Sequence, residues 1–259
     1  MRLNIPAAPH LELLAIPHIP LIQPGDDLPG ILLAAAAAAG MDWRDGDVLV
    51  LAQKIVSKAE GRLVHLPEVT PSPHALELAA VTGKDPRLVE LILGESVEVL
   101  RARPGLLVVE HRLGFVCANA GVDQSNVAGS DEWALLLPAD PDASARRLRD
   151  AIRESAGAEL AVIVSDSHGR AWRFGTVGVA IGVAGLHPLS DLRGQPDLTG
   201  RPLQITEVGT ADELAAAAGL LMGQAGQGTP AVLARGAAFA AGEGRLRELL
   251  RPKQHDLFR

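Results

Sequence analysis

At 259 residues the chain is long enough for a sizeable core, built as one large domain or two smaller ones. Its 31 acidic and 24 basic residues leave a formal charge of -7, and only 3% of the chain is aromatic, with no tyrosine, which argues against a nucleic-acid face and against a base-stacking surface. The single Cys117 excludes an internal disulfide and a cysteine-based zinc cage, so a reducing cytoplasm is the plainer address.

Residues 1–10 hold no apolar run behind a basic patch, so no secretory signal is expected. The alanine-rich stretch 31–39 predicts a helix packed against a sheet. After the Asp45-Gly46 turn signal, the apolar run 47–52 predicts a buried strand. Helices are expected over 72–81 and 86–93, the second with Asp85 as N-cap and Pro86 at its first position. The runs 106–110 and 115–118 predict a hairpin. Asp140-Pro141 opens a helix, and 159–164 is the clearest buried strand, leading into Ser165-Asp166-Ser167. Apolar, glycine-punctuated 174–189 is a candidate for deep packing or an interface. Thr210-Ala211-Asp212-Glu213 has capping-box spacing ahead of a helix to Met222. The uncharged stretch 214–234 contains Gly219, Gly223, Gly226, Gly228 and Pro230, and it reads as helix then loop with no membrane span. Residues 70–73 are the best candidate for a boundary between two lobes.

Phosphate-loop, dinucleotide-fingerprint, zincin and nucleophile-elbow patterns are all absent, so function rests on clusters of polar residues at strand ends. The first, 53–62, contains Gln53, Lys54, Ser57, Lys58, Gly61 and Arg62, and reads as an anion cradle or as a solvated amphipathic turn. The second, 117–126, sets Asp123, Ser125 and Asn126 close behind Gly121, and reads as oxygen ligands or as an ordinary Asx-type turn. The third, 164–173, sets Asp166 and Ser167 ahead of Arg170 and Arg173, and reads as a metal ligand beside phosphate-binding guanidiniums or as a capping aspartate with Trp172 in the core. His168 reads as a turn residue. The fourth, 221–228, is glycine-rich and wraps a nucleotide or simply connects. Oxygen donors without cysteine point to a hard cation, Mg2+ or Mn2+. Asp191 and Asp197 read as turn or lobe-contact residues.

These clusters, taken in order with 178–182, 188–191, Ala211-Asp212 and Met222-Gly223, resemble the coenzyme F420-0:L-glutamate ligase family over nearly the whole chain. The resemblance implies a GTP-dependent gamma-glutamyl ligase that adds L-glutamate to coenzyme F420-0. It implies metal on Asp123 and Asp166, with Ser167 and Gln224, and GTP contacts on Leu21, Ile22, Gln53, Lys54, Lys58 and Asn126 and on Met222, Gly223, Ala225 and Gly226. Lys58 and Arg170 would serve the transferred phosphoryl group beside the two aspartates. His168 and Ala171 depart from the apolar residue and the proline of the family pattern. An intertwined homodimer is implied, as one ligase unit over 1–259 without the nitroreductase-like domain of fused relatives.

The expected fold is α+β, with mixed, largely antiparallel sheets and flanking helices, since no regular strand-helix-strand alternation is visible. Two rivals to the ligase remain: a metal-dependent nucleotide hydrolase or phosphotransferase, and a non-catalytic cofactor-binding dimer.

Overall fold

The computed structural model describes residues 9–125, 127 and 130–256. Strand β1 (Glu12–Ala15) and helix α1 (Leu28–Ala38) precede β2 (Val48–Ala52), which runs directly into α2 (Gln53–Ala59). Next come β3 (Leu63–His65), α3 (Pro73–Thr82), α4 (Pro86–Gly94), β4 (Ser96–Arg103), β5 (Leu106–His111), β6 (Val116–Ala118) and β7 (Trp133–Leu135). The chain continues through α5 (Pro141–Ala156), β8 (Ala161–Arg170), β9 (Arg173–Ala184), β10 (Ser190–Asp191), β11 (Glu207–Val208), α6 (Thr210–Met222) and β12 (Ala231–Arg235).

Local chemistry accounts for most helix starts. Ser72, Asp85 and Asp140 each accept a backbone N–H from the first turn, and a proline stands at N1 behind each of them. At α6 the expected capping box does not form. Gly209 is the N-cap and Thr210 is already helical, its hydroxyl 2.7 Å from that of Ser190.

The main sheet has the order β1-β12-β2-β8-β9, in which β2 and β8 run parallel and the other pairs antiparallel. Successive side chains of a strand point to opposite faces, so β2 serves two cores at once. Val48 and Val50 pack with Ala211, Leu214, Ala215 and Ala218 of α6. Leu49 and Leu51 pack with Leu32 of α1, Ile55 of α2, and Leu148 and Ile152 of α5. The sheet is therefore sandwiched between helices, and the predicted role of the alanine-rich α1 is borne out. Close approach of α5 and α6 to β9 requires glycine: a Cβ on Gly182 would lie 2.4 Å from Pro141, and one on Gly178 would lie 2.5 Å from the Ala215 carbonyl oxygen.

The connection between the parallel strands β2 and β8 carries a second body of structure. There β4-β5-β6 form an antiparallel sheet and β3 pairs with β7. Leu88, Val89 and Ile92 of α4 and Ala75 of α3 close over Leu107 and Val109 of β5 as a separate core. The architecture is thus mixed α and β with largely antiparallel, open sheets, as expected. No described helix is long and apolar enough to cross a membrane.

Two segments differ from their expected form. The strand predicted at 159–164 does not stop before Asp166; it continues to Arg170 because β9 pairs with it along its length, past a register shift at Val164/Ser165. His168 is consequently a strand residue, not a turn residue. The apolar segment 174–189 divides. Its later residues, including Ile181 and Val183, are buried, whereas Phe174 and Trp172 stand at the hairpin tip with relative exposures of 104% and 87%.

Candidate active site

Where β2 ends, the chain turns at once into α2. Gln53 is buried there and accepts a hydrogen bond from Ser57 Oγ at 2.8 Å, which fixes the first turn. Lys54 and Lys58 follow at i and i+4, the spacing that puts both ammonium groups on one helix face. That face looks into a cavity of about 450 Å³, and Gln53, Lys54 and Lys58 all line it. Burial, and then the charge of Lys54, lowers the pKa of Lys58.

Opposite α2, a tight 3₁₀ turn at Asn119–Gly121 delivers Asp123. Asn119, Ala120 and Gly121 all have positive φ, and a Cβ on Gly121 would lie 2.8 Å from the Leu137 side chain. Beyond the turn, Asp123 exchanges two backbone hydrogen bonds with Leu135, of 3.0 and 2.8 Å, which locks its position. Asp123 Oδ2 lies 2.6 Å from Lys54 Nζ, while Oδ1 accepts from Ser125 N at 2.7 Å and Ser125 Oγ at 2.8 Å. Lys54 Nζ also donates to Ser125 O and Oγ. The turn and ligand readings of this cluster therefore describe the same residues: the Asx-type turn aims the carboxylate at the cavity. Burial pushes the Asp123 carboxyl up, but the hydrogen bonds from Lys54 and Ser125 and the Lys54 charge outweigh it, so Asp123 titrates below the ordinary aspartate value.

From β8, Asp166 and Ser167 line the same cavity. Asp166 Oδ2 is 3.1 Å from His168 Nε2, and Ser167 Oγ donates to Gln224 Oε1 at 2.9 Å. The second contact ties β8 to the glycine-rich loop after α6. Gly223 ends that helix with φ +68°, and Gln227 accepts from Ala225 N at 2.8 Å, giving the loop its curl. Met222, Gly223, Gln224, Ala225 and Gly226 all face the cavity. Its remaining wall comes from the segment after β1, where Leu21 and Ile22 stand with Ile19 and Pro20.

One cavity thus gathers residues from all four polar clusters and from the N-terminal segment. Arg170 is not on its wall; its guanidinium donates to Phe174 O near the hairpin tip. Arg62 is withdrawn as an anion-cradle residue, because its guanidinium bonds Leu137 O at 2.8 Å and Glu95 Oε1 at 2.9 Å in a separate ionic cluster. Asn126 lies outside the described residues. Asp197 does belong to a turn, accepting from Thr199, whereas Asp191 ends strand β10 opposite Glu207 of β11 and pairs with Arg193. Sequence reasoning missed Thr229 and Pro230, which line the cavity just before β12; the Thr-Pro step after a glycine-rich run was the available signal. Cys117 is buried beneath the site, and burial, with the nearby Asp166 charge, raises its thiol pKa to about 12, which leaves it inert at neutral pH.

The sequence model of the family described as F420-0:Gamma-glutamyl ligase matches residues 17–236. The coenzyme F420:L-glutamate ligase of Methanothermobacter thermautotrophicus is 51% identical, over 96% of this chain and 99% of the relative. Those of Methanopyrus kandleri and Archaeoglobus fulgidus are 46% and 45% identical, each over 96% of this chain and over 99% and 96% of the relative, respectively. The chain belongs to the F420-0:gamma-glutamyl ligase family.

Proposed function

We propose that this protein is a cytoplasmic, GTP-dependent ligase that joins L-glutamate to coenzyme F420-0 in coenzyme F420 biosynthesis. The observation that carries the reading is the meeting, in one cavity, of Lys54 and Lys58, the carboxylates of Asp123 and Asp166, and a glycine-rich loop. Carboxylate and ammonium do not condense in water without activation, so the acceptor carboxylate of F420-0 first attacks the γ-phosphorus of GTP. GDP leaves and an acyl phosphate forms. The α-amine of glutamate then attacks the acyl carbon, the amide bond forms, and phosphate and a proton depart.

The side chains divide this work. Lys54 and Lys58 draw in and neutralise the phosphates, and backbone N–H groups of the loop 223–228 supply further donors. Leu21 and Ile22 offer an apolar wall for the base. Asp123, Asp166, Ser167 and Gln224 present two carboxylates, a hydroxyl and an amide oxygen, a hard-oxygen set suited to Mg2+ or Mn2+ and unsuited to zinc. Among the described residues no group of three or more His, Cys, Asp or Glu is placed to hold a metal, so a cation on these two carboxylates would need further oxygen ligands from water or phosphate. When bound, such a cation would supply neutralisation of the charge that develops in phosphoryl transfer. Arg170 can join this work only if the hairpin carrying it reaches a second copy of the site. The exposed Trp172 and Phe174 at that hairpin's tip support a homodimer in which the arm is covered.

Incubation of the purified protein with GTP, Mn2+, L-glutamate and F420-0 tests the reading. The expected result is a product heavier by one glutamyl residue with matching release of GDP. Phosphate release without glutamate would identify a hydrolase or phosphotransferase, and no turnover of any kind would identify a binding module.

A further inference from the structure

His168 is two residues beyond Asp166 on β8, so both side chains project from the same face of the strand. Its Nε2 lies 3.1 Å from Asp166 Oδ2, and the imidazole is largely buried. Behind it stands a column of rings. The Phe115 ring lies 5.2 Å from His168 at 52°, and the fully buried His111 stacks on the other side of Phe115 at 5.1 Å and 7°. His111 is itself held by Leu113, whose N–H donates to its Nδ1 at 3.0 Å, while its buried Nε2 stands 3.6 Å from Glu95 Oε2 without a hydrogen bond. Glu95 in turn is clamped by Arg62 and Arg112. The imidazole of His168 therefore has little freedom to rotate away from the carboxylate it meets.

We propose that His168 is a positioning residue for Asp166: its Nε2–H pins one carboxylate oxygen, so that the other is held ready for a divalent cation in the cavity. This rests on the metal reading given above. A ligating carboxylate left free to turn about its last torsion must be ordered when the cation arrives, and a fixed donor removes that cost. Loss of such a supporting hydrogen bond typically lowers metal affinity by roughly 10- to 100-fold.

The test is the affinity for Mn2+ in the absence and presence of GTP, read from the free-ion signal in electron paramagnetic resonance, with no turnover required. His168→Phe keeps a ring against Phe115 but has no donor; His168→Gln loses the ring and keeps a donor at similar reach. His168→Phe should bind Mn2+ about 10-fold more weakly, while His168→Gln stays within about 3-fold of the unaltered protein. Unaltered affinity in His168→Phe, or equal losses in both variants, overturns the role of His168 and leaves the metal reading standing. Failure of the unaltered protein to bind Mn2+ under either condition overturns the metal reading, and this proposal with it.

Discussion

Lys54 Nζ and Asp123 Oδ2 lie 2.6 Å apart, which couples the helix after β2 to the turn after β6 across the mouth of the cavity. Asp123 is held as an anion by this contact against the effect of its own burial. Lys54→Met should therefore raise the Asp123 pKa relative to the parent, because desolvation is then opposed only by the Ser125 hydrogen bonds. In the unaltered protein the depressed pKa contributes stability that is present above the ordinary aspartate range and lost as pH falls through the folded value. In Lys54→Met that contribution shrinks, so the variant should lose less stability than the parent as pH falls below the ordinary aspartate range. Carboxyl-carbon NMR and urea unfolding from pH 7 down to about 3 give the two readouts.

Asp123→Asn and Asp166→Asn keep size and hydrogen-bonding capacity at partly exposed positions, so melting temperatures should move little. Ligation at saturating Mg2+ or Mn2+ should fall by at least about 100-fold, the scale set by losing one electrostatic element at a developing charge. Near-parental turnover by either purified variant would remove it from the metal set.

Lys58→Ala should weaken GTP binding by about 10- to 100-fold, the equivalent of one charge-assisted hydrogen bond, with a smaller effect on the melting temperature. Titration calorimetry decides this. Unchanged affinity would return Lys58 to the role of a solvated helix residue.

Glu95 sits among Arg62, Arg112 and His111. Burial raises its pKa, but the His111 imidazole at 3.6 Å, the hydrogen bond from Arg112 and the charges of both arginines bring it from 4.5 to about 2. The group therefore contributes stability above pH 4.5 that is lost as pH falls towards 2, at most about 3 kcal/mol. Glu95→Gln should be destabilised by about that much at pH 7 and should show a flatter acid limb in chemical denaturation.

Trp172 and Phe174 lie on an arm whose apolar rings face solvent in a single copy. If the proposed dimer forms, the unaltered chain should sediment as a dimer, and Phe174→Asp combined with Trp172→Asp should yield a monomer in sedimentation velocity, with the fold intact by circular dichroism. A parental chain that is monomeric at micromolar concentration would disprove the covered-arm arrangement.

Much of this architecture was readable in the sequence where its cause is local. Ser72, Asp85 and Asp140 with their following prolines mark helix starts because the capping hydrogen bond spans only two or three residues. The apolar runs that became β2 and the first half of β8 announce burial on both faces. Thr210 misled because Gly209 takes the cap and Ser190, from a different element, engages the hydroxyl. The cavity's members were legible one cluster at a time, but Leu21 and Ile22 came only through family resemblance, since nothing local distinguishes them. Arg62 was misjudged because its partner, Glu95, stands 33 residues further along the chain. The ring column of His111, Phe115 and His168 was invisible for the same reason: its members are brought together by the packing of β6 against β8.

The strand order also constrains how the chain is made. Among the described residues, β1 has no sheet partner except β12, and β12 lies between β1 and β2. On the ribosome, β1 must wait for β12, which emerges after every other strand of the main sheet, before it can pair. The parallel β2–β8 contact and the small antiparallel sheet can assemble beforehand, but the strand that leads into the cavity wall of Leu21 and Ile22 has no sheet partner until residues 231–235 have left the exit tunnel. Loss of β12 would thus leave β1 unpaired and β2 with an open edge beside the cavity.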